Sequence, residues 1–155
     1  MKNLYYGSQH IDKKDIQAVT NALSNRLITQ GKIVENFEKK LQNFFGAKYC
    51  VAVSSGTAAL HLSMIAIGLK KNDVIITTPI TFVASAVAAL HLNCKIILVD
   101  IDKISKTIDV EKLEKKLNQL KKKKIYPKAL IAVDYAGYPC DWKKIKKISR
   151  KYKLF

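Results

Sequence analysis

The chain has 155 residues, enough for one domain with a genuine core. A hydrophobic fraction of 48% and a mean hydropathy of -0.04 exclude a disordered chain, and the most apolar stretch, residues 82–92, is too short to cross a bilayer. The formal net charge of +16 raises the question of nucleic acid, but only Arg26 and Arg150 among the cations are arginines. Readers of nucleic acid favour arginine for bidentate contacts, so the lysine runs are read as solvated helix faces and no specific nucleic acid is expected. Residues 1–7 lack an apolar stretch ending in small residues, so no secretory signal is read and a cytoplasmic protein is expected. Cys50, Cys94 and Cys140 are odd in number and have no CxxC spacing, which predicts free buried thiols and no zinc or other metal site.

Along the chain the hydrophobic period alternates. Ile16, Val19 and Leu23 predict a helix over residues 12–25, and Val34, Phe37, Leu41 and Phe44 a second over 32–45 that Gly46 terminates. Residues 49–53 are a short β-rich run, followed after Ser54-Ser55-Gly56-Thr57 by an apolar helix ending near Gly68. Strands are then predicted at 74–77, 95–99 and 129–133. Helices are predicted at 82–92, over the Val110, Leu113, Leu117, Leu120 repeat, and over Trp142, Ile145, Ile148, Tyr152. Lys153-Leu154-Phe155 reads as the entry to a further strand, so the chain is taken as truncated. Continuous apolar strands between helices predict an α/β fold of three layers, a mainly parallel sheet with helices on both faces. In such sheets ligands bind beyond the carboxyl ends of the strands, here just after Val53, Thr77, Val99 and Val133.

Three constellations lie there. Ser54-Ser55-Gly56-Thr57-Ala58-Ala59-Leu60 puts small residues at a strand-to-helix turn, where unpaired amides favour a phosphate; an ordinary helix cap is the plainer alternative. Neither a Walker A loop nor GxGxxG is present, which argues against an ordinary NTPase or a nicotinamide enzyme. Thr77-Thr78-Pro79-Ile80-Thr81-Phe82-Val83-Ala84-Ser85 places an aromatic at a helix start, where it can stack on a planar ring but by itself reads as a core residue. Val133-Asp134-Tyr135-Ala136-Gly137-Tyr138-Pro139 leaves Asp134 and Tyr135 either facing a site or fixing the turn. His10, His61 and His91 form no metal spacing or triad, and the latter two, within apolar helices, are assigned to packing.

Ser55-Gly56-Thr57-Ala58-Ala59-Leu60, the Thr78–Ala84 segment, Val99-Asp100-Ile101-Asp102 with Ile108-Asp109, and Asp134-Tyr135-Ala136-Gly137 occur in one order together with Leu27-Ile28-Thr29-Gln30-Gly31-Lys32 and Phe37-Glu38. This series resembles the DegT-type nucleotide-sugar aminotransferases, fold type I pyridoxal-phosphate enzymes, over essentially the whole chain. Val87 departs from the pattern, since many relatives have asparagine there. The resemblance implies that residues 1–155 are the N-terminal part of a cofactor-binding large domain, with the rest of that domain and a small C-terminal domain lying beyond. It implies that Gly56, Thr57 and the Ala58 amide hold the phosphate of pyridoxal 5'-phosphate, with Phe82 on the pyridine ring. Tyr6, Arg26, Leu27, Ile28, Thr29 and Gly56 would line the sugar-nucleotide pocket. The Schiff-base lysine and the aspartate on the pyridine nitrogen would lie beyond Phe155, so no residue here is assigned a catalytic role. The implied activity of the whole protein, a homodimer, is transfer of an amino group from glutamate to the 4-keto group of a UDP-sugar, as in pseudaminic acid or related surface-glycan synthesis, while this piece alone is inactive. Relatives with histidine in place of that lysine act as sugar dehydratases, and a basic nucleic-acid-binding module without enzymatic activity is the remaining alternative.

Overall fold

The computed structural model describes residues 7–29 and 31–155, which divide into two compact units, one ending at Ala52 and the other beginning at Val53. In the first, α1 (Lys13–Leu23) opens on a reciprocal cap. The Asp12 carboxylate accepts from the Lys14 and Asp15 amides, and the Asp15 carboxylate accepts from the Asp12 amide at 2.9 Å. The second helix, α2 (Lys32–Phe45), ends at Gly46, whose φ of 62° is the left-handed closure that glycine adopts without strain. Both helices carry their apolar stripes uncovered: no residue of either is buried, and Ile16, Val19 and Leu23 are all more than 60% exposed.

The strand expected at residues 49–53 does not form. A strand needs a ladder partner; here the Ala52 amide donates instead to Glu38 Oε1 of α2 at 2.7 Å.

The second unit is built on three parallel strands in the order β2-β1-β3, with β1 Val74–Thr77, β2 Lys95–Leu98 and β3 Ala129–Leu130. Ile75 and Ile76 of β1 sit against Ile96 and Ile97 of β2 and against Ala129 and Leu130 of β3. Two asparagines in the left-handed region, Asn72 and Asn93, lead into β1 and β2, and the Asn72 amide bonds the Asn93 carbonyl at 2.9 Å, which aligns the two strand starts. Successive strand residues point to opposite faces, so the fully buried neighbours Ile75 and Ile76 seed two separate cores. Ile75 packs with Met64, Ala88 and Ala89 from α3 (Gly56–Ala66) and α4 (Ala84–Leu90). Ile76 packs with Leu113, Leu117, Leu120, Ile145 and Ile148 from α5 (Val110–Lys122) and α6 (Trp142–Tyr152). The expected three layers are present.

Some element ends differ from those expected. β3 stops at Leu130 although the Ile131 amide still reaches the Ile76 carbonyl, and the helix expected over 82–92 contracts to Ala84–Leu90. Phe155 donates to the Lys128 carbonyl and accepts from the Leu130 amide, both at 2.9 Å, which is one parallel rung on the outer side of β3. Of the strand entry expected at residues 153–155, Phe155 alone makes this rung beside β3.

Candidate functional site

The chain leaves β1 for β2 on one side and returns from β2 past β1 to β3 on the other. In a sheet of order 2-1-3 this reversal falls between β1 and β3, and the crevice opens at their carboxyl ends. Of the constellations expected there, the turn after β1 is tied down by its hydroxyl side chains. Thr77 and Thr78 are buried polar residues, 0% and 1% exposed, and both hydroxyls are used. Thr77 Oγ1 donates to the Ile131 carbonyl at 3.1 Å, tying β1 to the residue just past β3, and Thr78 Oγ1 accepts from the Ile80 amide at 3.2 Å. Thr81 Oγ1 and Ser85 Oγ share a hydrogen bond of 2.9 Å that ties the turn onto α4. Phe82 stands between these anchored residues with 75% of its surface exposed. The core position that its residue type suggests is therefore wrong, because the buried face of α4 is filled by Ala84, Ser85, Ala88 and Ala89. The only signal of the Thr81–Ser85 pair in the sequence is two hydroxyl residues four apart.

At the start of α3, Ser55 is extended and caps the helix. Its Oγ accepts from the Ala58 amide at 3.1 Å, and its carbonyl accepts from the Ala59 amide at 3.0 Å. The Gly56 and Thr57 amides make no bond to the protein among the described residues. The first turn holds no acidic residue, and a Cβ built on Gly56 meets nothing within 4 Å. Open space, two free amides and a positive helix end make an anion cradle here. An anion that also reached the Ala58 amide would have to share it with Ser55 Oγ.

Asp134, left open between site and turn, fixes the turn. Its Oδ1 accepts from the Cys140 amide at 2.8 Å and from Trp142 Nε1 at 3.1 Å, and these bonds, the Cys140 amide first, hold its carboxyl below the usual carboxylate range. Tyr135 begins a short 3-10 turn, Tyr135–Gly137, and stays 40% exposed. Cys94 and Cys140 are buried and free, as expected, and Cys50 is free and half-buried. Burial, followed by Asp134, pushes the Cys140 thiol up to about 11.

A separate cleft of about 460 Å³ lies at the starts of α5 and α6, lined among others by Asp102, Asp109, Glu111, Asp141 and Lys144. Hydrogen bonds from the Ser105 amide to Asp102, and from the Lys144 amide to Asp141, keep those two carboxyls below their ordinary value and so ionised. Its sign suits a phosphate poorly. No cluster of three or more His, Cys, Asp or Glu able to hold a metal occurs among the described residues. No helix there is long and apolar enough to cross a membrane.

The remaining expected residues fall in the first unit. Arg26, Leu27, Ile28 and Thr29 follow α1 and are exposed, the two apolar ones by 65% and 70%. Tyr6 lies outside the described residues. The structure thus holds Gly56, Thr57, Ala58 and Phe82 in one unit and the Arg26–Thr29 run in the other.

The model of the DegT/DnrJ/EryC1/StrS aminotransferase family matches residues 9–155. A UDP-4-amino-4,6-dideoxy-N-acetyl-beta-L-altrosamine transaminase of Campylobacter jejuni is 38% identical over 149 residues, covering 96% of this chain and 38% of the relative. Among solved structures, the Helicobacter pylori PseC aminotransferase, described as involved in the biosynthesis of pseudoaminic acid, superposes with a TM-score of 0.86 at 33% identity over 99% of this chain and 40% of its own. The Escherichia coli GDP-4-keto-6-deoxy-D-mannose-3-dehydratase, solved with hydrated PLP, superposes with a TM-score of 0.84 at 27% identity, covering 95% and 38%. The chain spans about two-fifths of the length of these relatives.

Proposed function

We propose, given that the chain belongs to the DegT/DnrJ/EryC1/StrS aminotransferase family, that it forms the phosphate-and-ring cradle of a pyridoxal-phosphate aminotransferase acting on a nucleotide sugar. The observation that carries this reading is the open start of α3, where Gly56 leaves room and the Gly56 and Thr57 amides are free. Those amides, with the Thr57 hydroxyl, take the phosphate, and the Ala58 amide joins them when Ser55 Oγ yields it. Phe82, anchored on both sides and exposed, supplies a flat apolar face to the pyridine ring. When bound, the cofactor supplies an electron sink for moving an amino group between donor and acceptor.

In the whole protein we assign the donor to glutamate and the acceptor to the 4-keto carbon of a UDP-sugar on a route to pseudaminic acid or a related surface glycan, in the cytoplasm. The likeness to the Campylobacter and Helicobacter transaminases supports the amino transfer and the nucleotide-sugar acceptor. On this reading Tyr6, Arg26, Leu27, Ile28, Thr29 and Gly56 are assigned to the sugar nucleotide, Arg26 being the cation suited to its diphosphate. Residues 1–155 form the N-terminal part of the large domain, and the whole protein is a homodimer. The uncovered apolar stripes of α1 and α2 support assembly with further protein surface. A second reading, a PLP-dependent sugar dehydratase, is favoured by the superposition on the E. coli 3-dehydratase; the two differ in the product, an amino sugar or a 3-deoxy sugar.

Pyridoxamine 5'-phosphate is the suitable probe, because unlike the aldehyde it forms no adduct with the chain's many lysines. Quenching of its fluorescence should show saturable binding that pyridoxamine without phosphate lacks, weakened at least tenfold by Gly56→Val. Equal binding of the two amines, or no effect of Gly56→Val, overturns the phosphate assignment. Residues 1–155 alone should form no 2-oxoglutarate from glutamate and a UDP-4-keto sugar; turnover would overturn their assignment as a cradle without the catalytic lysine.

A further inference from the structure

We propose that Ser85 is a positioning residue for the cofactor ring: it holds the backbone that aims Phe82, and so governs binding of the ring half of pyridoxamine phosphate while leaving the phosphate half alone. This rests on the assignment of Phe82 to the pyridine ring made above. Ser85 reaches Phe82 from both ends. Its hydroxyl meets Thr81 Oγ1, on the preceding residue, at 2.9 Å, and its amide donates to the Phe82 carbonyl at 3.0 Å. Ser85 is itself well seated, since it is 6% exposed and lies on the buried side of α4 with Ala84, Ala88 and Ala89.

The start of α4 needs such a brace. Val83 precedes the helix with φ -53° and ψ -26°, already helical, and offers no side-chain cap. The first amides of an uncapped helix fall back on turn bonds, and here the Ala86 and Val87 amides both go to the Val83 carbonyl at 3.0 Å. The Thr81–Ser85 bond spans this turn and supplies the side-chain tie that Val83 lacks. Phe82 is exposed, so packing does little to hold it, and the direction of its Cα–Cβ bond comes from the backbone beneath. Ordering a loose side chain on binding costs affinity, whereas one already aimed escapes that cost. The neighbouring hydroxyls of Thr77 and Thr78 bond the Ile131 carbonyl and the Ile80 amide, away from Phe82, which leaves this task to Ser85.

Ser85→Ala suits the test, because α4 already buries alanine on the same side. Thr81→Val removes the other hydroxyl at a half-buried position with its shape nearly kept, so a second variant remains if the first fails to fold. In the 155-residue chain each should weaken pyridoxamine 5'-phosphate binding by about two- to tenfold. Inorganic phosphate, read as a competitor, should keep its constant. Both substitutions cut one bond, so the double variant should bind no worse than the weaker single one, and Thr81→Ser, which keeps the hydroxyl, should match the wild type. In the ligand-free chain the NMR order parameter of the Phe82 amide should fall from roughly 0.85 toward 0.6 on Ser85→Ala. An unchanged order parameter, binding unaffected by either variant, losses that add in the double variant, or a phosphate constant weakened to the same degree would overturn the proposal. Equal binding of pyridoxamine with and without its phosphate by the wild type is a different failure: it sinks the phosphate assignment, while the order parameter still decides whether Ser85 holds Phe82.

Discussion

Leu113→Ala tests the separation of the two cores. Leu113 is fully buried beside Ile76, on the face covered by α5 and α6. The substitution removes three carbons, about 2.4 kcal/mol of transfer free energy at ~0.8 kcal/mol each. The cavity left behind raises the cost into the range of about 2–5 kcal/mol. For a chain of this length that lowers the melting temperature by roughly 2–4 °C per kcal/mol, hence by roughly 6–12 °C for a loss of ~3 kcal/mol. The sharper readout is a pair of double-mutant cycles, measured by urea unfolding followed through Trp142 fluorescence and far-ultraviolet circular dichroism. Leu113→Ala with Ile76→Val alters one cluster and should show a coupling of ~0.5 kcal/mol or more. Leu113→Ala with Ile75→Val divides the changes between opposite faces of β1 and should be additive to within ~0.3–0.5 kcal/mol. Coupling to Ile75 and none to Ile76 would refute the register of β1 and the layering that rests on it.

Gly56→Ala should leave stability unchanged or slightly higher, since the added Cβ meets no atom within 4 Å, while still weakening pyridoxamine-phosphate binding; a folding defect in thermal melts would contradict the open cradle. Asp73 links the entry of β1 to the start of β3 through Lys128 at 2.7 Å, and that bond, the largest cause, lowers its pKa below 3.8. Its contribution is present above pH 3.8 and is lost as pH falls through the lowered value, so urea midpoints from about pH 6 down to about pH 2 should fall more steeply for the wild type than for Asp73→Asn. Iodoacetamide should label Cys50 in the native chain and all three cysteines in urea, because burial raises the Cys94 and Cys140 thiols and withholds their thiolates. As the folded Cys140 value of about 11 lies above the ordinary 9.0, its contribution is complete below pH 9.0 and declines as pH rises toward about 11; Cys140→Ser should flatten that decline in alkaline urea titrations.

Much of this architecture was legible in the residues themselves. Asp12, Gly46 and Ser55 marked helix ends because caps are local, decided within a few residues of backbone. The Leu113, Leu117, Leu120 repeat and the Val74–Thr77 run carried their periods openly, since each buries one face or both against a large layer. The ordered small-residue, proline and aspartate motifs identified the family and pointed to the start of α3.

Other features existed only once the chain had folded. Residues 49–53 have the composition of a strand, yet a strand requires a neighbour, and the Ala52 amide found a glutamate instead. Phe82 has the chemistry of a core residue and lies exposed, because alanines and Ser85 fill the face of α4 that packs inward. Asp134 was ambiguous until Cys140 and Trp142 came within hydrogen-bond reach, and His61 met His91 only when α3 and α4 packed together, thirty positions apart in the chain. Local propensity determined which segments are helices; long-range pairing decided which side chains are shared, spent or left free, because hydrogen bonds and burial depend on neighbours that sequence order does not name.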